Sequence, residues 1–347
     1  MSSKSDVPAN LNPNLRYQPR GLPSLETTIR QLRDGDFQML SRAVTLLESQ
    51  VDEHRNWSAA LIKAIDAELK SNSFRLGISG SPGVGKSTFI EAFGLELIEQ
   101  GHRVAVLAVD PSSHISGGSI LGDKTRMEKL SRHPKAFVRP SPSGGFLGGV
   151  SRVTRESILL CETAGFDYIL VETVGVGQSE MAVHGMTDAF LLLAQPGAGD
   201  ELQGIKRGIL EMADILVVNK VDTMPDAAKQ AAAELKRSLH LAPARTNGWS
   251  PPVLLTAALQ SLYIYEVYTS VEKYRSLLDQ NGQLAVQRQQ QRKKWLRELV
   301  NSELLRRLAR DKTTQSKWQE CDKLIDAGTR DIYQLAAELL RIFQPNQ

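Results

Sequence analysis

Eight consecutive residues, Gly80-Ser-Pro-Gly-Val-Gly-Lys86-Ser87, match the phosphate-binding loop pattern G-x-x-x-x-G-K-S/T at every position. The chemistry needs those residue types. Glycines at 80, 83 and 85 let the backbone turn its N–H groups, with those of Ser81 and Val84, towards a polyphosphate. A helix opening at Lys86, Ser87 and Thr88 adds the positive end of its dipole. Lys86 can then reach the β- and γ-phosphates, and the Ser87 hydroxyl can ligate Mg²⁺. The flanks suit the motif: Phe74 to Ser79 reads as a short buried strand, and Thr88 to Glu99 carries apolar residues at helical spacing.

A second motif names the base. Ala213 to Val218 reads as a buried strand that ends in Asn219-Lys220-Val221-Asp222. A carboxylate at Asp222 accepts from both the N1–H and the exocyclic amine of guanine, whereas adenine would leave it unpaired. Asn219 can bond the N7 edge, and the Lys220 stem can lie over the ring. The nucleotide is therefore expected to be GTP or GDP rather than an adenine nucleotide.

Two further strand ends carry acids. Val104–Val109 runs into Asp110-Pro-Ser-Ser, and Tyr168–Val171 runs into Glu172-Thr-Val-Gly175. In parallel sheets the carboxyl ends of the strands form the ligand crevice, so Asp110 and Glu172 are candidates for a metal shell or attacking water. Gly175 stands where its N–H can bond a γ-phosphate, and the following Val176 to Glu180 reads as a segment built to move.

Taken with Gly117 to Met127 and Gly199 to Lys206, these motifs resemble the MeaB/ArgK GTPases, the accessory GTPases of adenosylcobalamin-dependent acyl-CoA mutases such as methylmalonyl-CoA mutase. The resemblance spans roughly residues 25–343. It implies a GTPase that chaperones its mutase and gates cofactor loading, protection or exchange. It also implies Lys86 on phosphate, Ser87 on Mg²⁺, and Asp110, Asp123 and Glu172 around metal and water, with Asp123 favoured for the water. Asp110–Met127 and Glu172–Glu180 become the switches, and Gln195–Gly208 a third mobile loop that senses the partner. One segment departs from the family pattern. The family usually shows Ser-Ala-Leu and then a glycine, where this chain has Ala257-Ala258-Leu259 and Tyr263. Ala257, Ala258 and Leu259 are still expected near the base.

Composition sets the frame. At 347 residues and 41% hydrophobic, the chain can bury a sizeable core, and its formal charge of +3 points to neither nucleic acid nor a membrane surface. No apolar run approaches the ~20 residues of a membrane helix. Cys161 and Cys321 are isolated, and six histidines show no metal spacing, which fits a reducing cytoplasm without a zinc or haem site. The N-terminus lacks signal-peptide or presequence character.

The fold expected is α/β: a mostly parallel sheet forming a P-loop GTPase domain, with N-terminal helices and a C-terminal helical arm. Residues 1–22 read as a flexible tail, 23–73 as a helical segment, 74–275 as the GTPase domain and 276–347 as the arm. Helices are expected from a Ser24 cap to Leu32, from Phe37 to Leu47 and from Trp57 to Leu69. Strands are expected at 74–79, 104–109, 168–171, 189–194, 214–218 and 253–255, and Gly144–Gly149 reads as a loop. Gln283 to Phe343 reads as helical throughout. It carries apolar stripes at Trp295, Leu299, Leu304, Leu305 and Leu308, and at Ile332, Leu335, Leu339 and Ile342. The resemblance makes this arm a homodimer contact. Arg126, Arg139, Arg152 and Arg155 are candidates for a transition-state arginine, the partner being the other source. Two rival readings remain: a kinase of an amino-acid transport system, for which no H-R-D loop is present, and a nickel metallochaperone, for which the His- or Cys-rich motif is missing.

Overall fold

The computed structural model describes residues 21–68, 72–109, 127–139, 147–173, 179–197, 207–241, 248–328 and 330–341. Seven strands, β1 (Phe74–Gly80), β2 (Val104–Val109), β3 (Ala136–Arg139), β4 (Tyr168–Thr173), β5 (Ala189–Ala194), β6 (Ile215–Val218) and β7 (Val253–Leu255), form one sheet. Its order is β3-β2-β4-β1-β5-β6-β7, and every pairing is parallel. All six expected strands are present, with β1 and β4 running on to Gly80 and Thr173. The edge strand β3 is additional; four residues are too few for a periodicity to show.

The sheet is apolar on both faces because each strand alternates between two cores. In β5, Phe190, Leu192 and Ala194 face one cluster, while Ala189, Leu191 and Leu193 face the other. The first cluster is closed by α1 (Leu25–Arg33), α2 (Phe37–Glu48), α3 (Asp52–Glu68), α6 (Leu147–Thr163), α7 (Ser179–His184), α8 (Arg207–Met212) and α9 (Pro225–His240). The second is closed by α4 (Lys86–Glu99), α5 (Glu128–Ser131) and α10 (Ile264–Gln280).

The N-terminal helices start where their caps dictate. Ser24 accepts from Thr27 N at 3.2 Å, and Asp36 accepts from Gln38 N and Met39 N at 2.8 and 3.0 Å. Helix α3 begins at Asp52, five residues before the expected Trp57, because its first turn is polar and acidic. A second correction concerns Gly144–Gly149: Leu147, Gly148 and Gly149 belong to α6. Packing of Ile158, Leu159 and Leu160 against the sheet overrides the poor helix propensity of the two glycines.

The C-terminal stretch, expected to be helical throughout, is divided into three helices, α11 (Gln283–Arg310), α12 (Lys312–Asp326) and α13 (Ile332–Arg341). Asp311 ends the first and caps the second, accepting from Thr314 N at 2.8 Å. The position expected to divide domain from arm, after residue 275, falls inside α10. Of the first expected stripe, Trp295 packs on the main core, whereas Leu304 and Leu305 are exposed. Of the second, Leu335 and Leu339 join Cys321 in a small cluster, Ile332 is exposed, and Ile342 lies outside the described residues.

Candidate functional site

Strand β1 occupies the middle of the sheet, where the strand order turns, so its C-terminal end opens onto the crevice in which α/β sheets bind ligands. Gly80 must be glycine there: a Cβ would stand 2.6 Å from the Leu193 carbonyl oxygen. The chain then turns through Ser81–Gly85, with Gly83 and Gly85 at φ +80° and +93°, and enters α4 at Lys86. Val84 is fully buried and anchors the turn from beneath.

The Lys86 ammonium is held inside this loop. Lys86 Nζ donates to the carbonyl oxygens of Gly80 and Ser81 at 2.7 and 3.1 Å. Burial lowers the Lys86 pKa, and the carboxylates of Glu172 and Glu180 oppose that shift. One residue on, Ser87 Oγ donates to Glu172 Oε1 at 3.3 Å, joining the first turn of α4 to the end of β4. A hydroxyl and a buried carboxylate side by side are oxygen donors of the kind a hard divalent cation takes. Thr88 follows in the same first turn. Among the described residues, no group of three or more His, Cys, Asp or Glu gathers as a metal site. Asp110, Asp123, Arg126 and Gly175 lie outside the described residues, as do the stretches 111–126, 174–178 and 198–206 that carry most of the expected switches.

The Asn219–Asp222 segment is tied directly to the phosphate loop. Asn219, nearly fully buried, donates through Nδ2 to Val84 O at 3.0 Å. Its Oδ1 accepts from Ala258 N at 3.1 Å and from Thr256 Oγ1 at 3.3 Å. Asn219 was expected to serve the N7 edge; its geometry makes it first a brace between two loops. Lys220, at φ +63°, donates from Nζ to Gly83 O at 2.7 Å. Asp222 is exposed and accepts from Gln260 Nε2 at 2.8 Å.

Beside them, Ala257 and Ala258 are buried and Leu259 is exposed, at the start of the 3-10 turn Ala258–Gln260. Two residues here escaped the sequence reading. Gln260 carries no motif of its own. Thr256, one position before Ala257, donates its hydroxyl to Asn219 Oδ1.

Tyr263 resolves the other departure. It sits at φ +62° and caps α10, so the backbone keeps the left-handed turn that glycine adopts without strain. Tyr263→Gly is expected to stabilise the protein by about 0.5–1 kcal/mol, relief of strain exceeding the entropy lost. An upward shift of the urea midpoint checks this, and an unchanged or lower midpoint refutes it.

Three of the arginine candidates are engaged. Arg139 bonds Glu48 and Thr45, Arg152 meets Glu156 at 3.8 Å, and Arg155 donates to Gly185 O at 3.0 Å.

A likeness to known proteins accords with this geometry. The family described as "Methylmalonyl Co-A mutase-associated GTPase MeaB" matches residues 40–313. A probable GTPase of Mycobacterium tuberculosis is 47% identical over 312 residues, covering 90% of this chain and 93% of that protein. The methylmalonic aciduria type A homolog of Mus musculus, a mitochondrial protein, is 43% identical over 89% of this chain and 77% of its own length. A crystal structure described as an LAO/AO transport system kinase superposes with a TM-score of 0.72 at 36% identity, covering 93% of this chain and all of that one. A phosphate loop braced to an N-K-x-D strand end, matched over most of the chain by such relatives, places this protein in the MeaB family of GTPases.

Proposed function

We propose that the protein binds GTP with Mg²⁺, hydrolyses it to GDP and phosphate, and uses that cycle to serve an adenosylcobalamin-dependent acyl-CoA mutase. The observation that carries the chemistry is the meeting of Lys86, Ser87 and Glu172 at the C-terminal edge of the sheet. Lys86 exchanges its two carbonyl partners for phosphate oxygens, a charged and stronger acceptor. Ser87 and Glu172 hold Mg²⁺, which when bound neutralises charge on the β- and γ-phosphates. Loop amides from Gly80 to Thr88 orient the phosphates, and Asp222 with Asn219 selects guanine. Asp110 completes the metal shell and Asp123 positions water. Phosphoryl transfer needs such positioning and charge neutralisation more than covalent chemistry.

The mutase partnership is supported by the family match and by the mouse relative's name. A homodimer through the arm is supported by α11, where Leu296, Val300, Leu304 and Leu305 are exposed on one helix. A reducing, cytoplasmic setting suits Cys161 and Cys321, which are both free and buried. Among the described residues, no helix is long and apolar enough to cross a membrane.

With Arg139, Arg152 and Arg155 engaged, intrinsic turnover is expected to be slow and the partner to raise it several-fold. GTP turnover by the purified protein, alone and with an adenosylcobalamin-dependent acyl-CoA mutase, tests this with Lys86→Ala as the blank. A rate indifferent to the mutase refutes the partnership, and turnover that survives Lys86→Ala refutes the mechanism. The kinase reading takes its support from the related crystal structure's description. Labelled γ-phosphate separates the two, appearing as free phosphate for a GTPase and on a protein acceptor for a kinase.

A further inference from the structure

At the start of β1, the end of the strand away from the phosphate loop, a cavity of about 320 Å³ lies between Arg75, α6, the residues after α7 and the first half of α11. Four guanidiniums, those of Arg75, Arg155, Arg288 and Arg292, line it beside one carboxylate, Glu162. Three of the four are closely neutralised. Arg75 reaches both oxygens of Glu162 at 2.8 Å, Arg288 those of Asp188 at 2.8 and 2.6 Å, and Arg292 those of Asp66 at 2.8 and 2.7 Å.

Arg155 is different. It is only 7% exposed, yet its nearest carboxylate, the half-exposed Glu298, stands 3.5 Å away. Its Nε is buried without a hydrogen-bond partner, and so is Trp295 Nε1. Burial depresses the Arg155 pKa, opposed by Glu298 and reinforced by the neighbouring Arg75 charge. Gln291 Oε1 on the same wall is also buried without a partner, but as an acceptor it needs a donor such as a bridging water and not an anion. Ile158, Leu159 and Met186 supply the apolar remainder. A water takes about 30 Å³ of liquid volume, so the space exceeds a single bridging water several-fold.

We propose that this cavity is a binding site for a small oxyanion, a short aliphatic carboxylate or a phosphate, held by Arg155 and Trp295 and separate from the nucleotide site. An anion adds a closer counter-charge than Glu298 supplies to Arg155 and gives both N–H groups an acceptor. The apolar wall favours the carboxylate, because its alkyl end has Ile158, Leu159 and Met186 to cover it.

Isothermal titration tests the site with butyrate and with inorganic phosphate at matched chloride concentration. Lys86→Ala is the background, so that the phosphate loop does not compete. One-to-one saturable binding of either probe is expected, with butyrate the tighter. Trp295→Phe keeps an aromatic ring and removes one donor to the anion, so it should weaken binding about tenfold. Arg155→Met should abolish it, with circular dichroism to confirm folding. Phosphate binding alone, weakened in the same way, identifies the oxyanion as phosphate and upholds the site. No heat above the chloride control overturns the proposal, and so does unchanged affinity in Trp295→Phe, leaving a hydrated packing cavity.

Discussion

Asp222→Asn is expected to lower GTP affinity about a hundredfold and to raise affinity for xanthosine triphosphate. Guanine presents two donors, N1–H and the exocyclic amine, to a carboxylate that accepts both. An amide in its place offers one acceptor and turns an NH₂ donor against the guanine amine. Xanthine carries a carbonyl at that position, which the amide can meet. Hydrogen bonds to a charged group contribute roughly 1.5–3 kcal/mol each. Asp222 is exposed, so the low end applies to the pair, and about 3 kcal/mol corresponds to about two decades in Kd.

Gln260 sharpens the expectation. Its amide already donates to Asp222 Oδ2 at 2.8 Å and orients the carboxylate before a base arrives. With asparagine at 222, that contact no longer fixes which way the side chain faces, which adds to the loss. Titration of both nucleotides into wild type and variant measures the effect. Unchanged GTP affinity in the variant would remove Asp222 from base recognition.

Much of this site is legible in the chain because its parts are backbone positions fixed by short spacings. The loop needs glycine where Leu193 O crowds β1 and where φ is positive, so Gly80, Gly83 and Gly85 stand out as letters. The strands show equally well, since a sheet covered on both faces demands unbroken apolar runs such as Ala189–Ala194. Other parts depend on pairings across the chain. The bracing of Val84 by Asn219 joins residues 135 apart, and the Gln260–Asp222 bond links two polar side chains of ordinary type. The helix start at Asp52 is hidden because its first turn carries no apolar residue, and that at Leu147 because packing overrides two glycines of poor helix propensity. The departure at Tyr263 reads as a lost glycine in the sequence, while the structure retains the glycine-like backbone and places the strain in a tyrosine.

The second large effect concerns the joint between the GTPase core and α11, where Asp188→Ala is expected to destabilise the protein by about 3–5 kcal/mol. Asp188 is fully buried at the start of β5, accepts from Arg75 N at 2.8 Å, and receives both arms of Arg288. Arg288 also donates to Ser73 O at 2.6 Å, while Gln287 and Gln291 donate to Thr187 O at 3.2 and 2.7 Å. Removing the carboxylate leaves a half-buried guanidinium with Ser73 O alone and a β1 amide without its acceptor, which is why the cost exceeds that of an ordinary surface ion pair. Equilibrium urea unfolding measures it, and a loss below about 1 kcal/mol would show the pair to be dispensable.

Arg288→Met alone should cost a comparable amount, because Asp188 then becomes the unpaired buried charge. Combining Asp188→Ala with Arg288→Met should recover a large part of either loss, since no lone charge remains; strict additivity would contradict this account. The same clamp grips the chain just past α7, so β1, β5 and α11 meet at one ion pair.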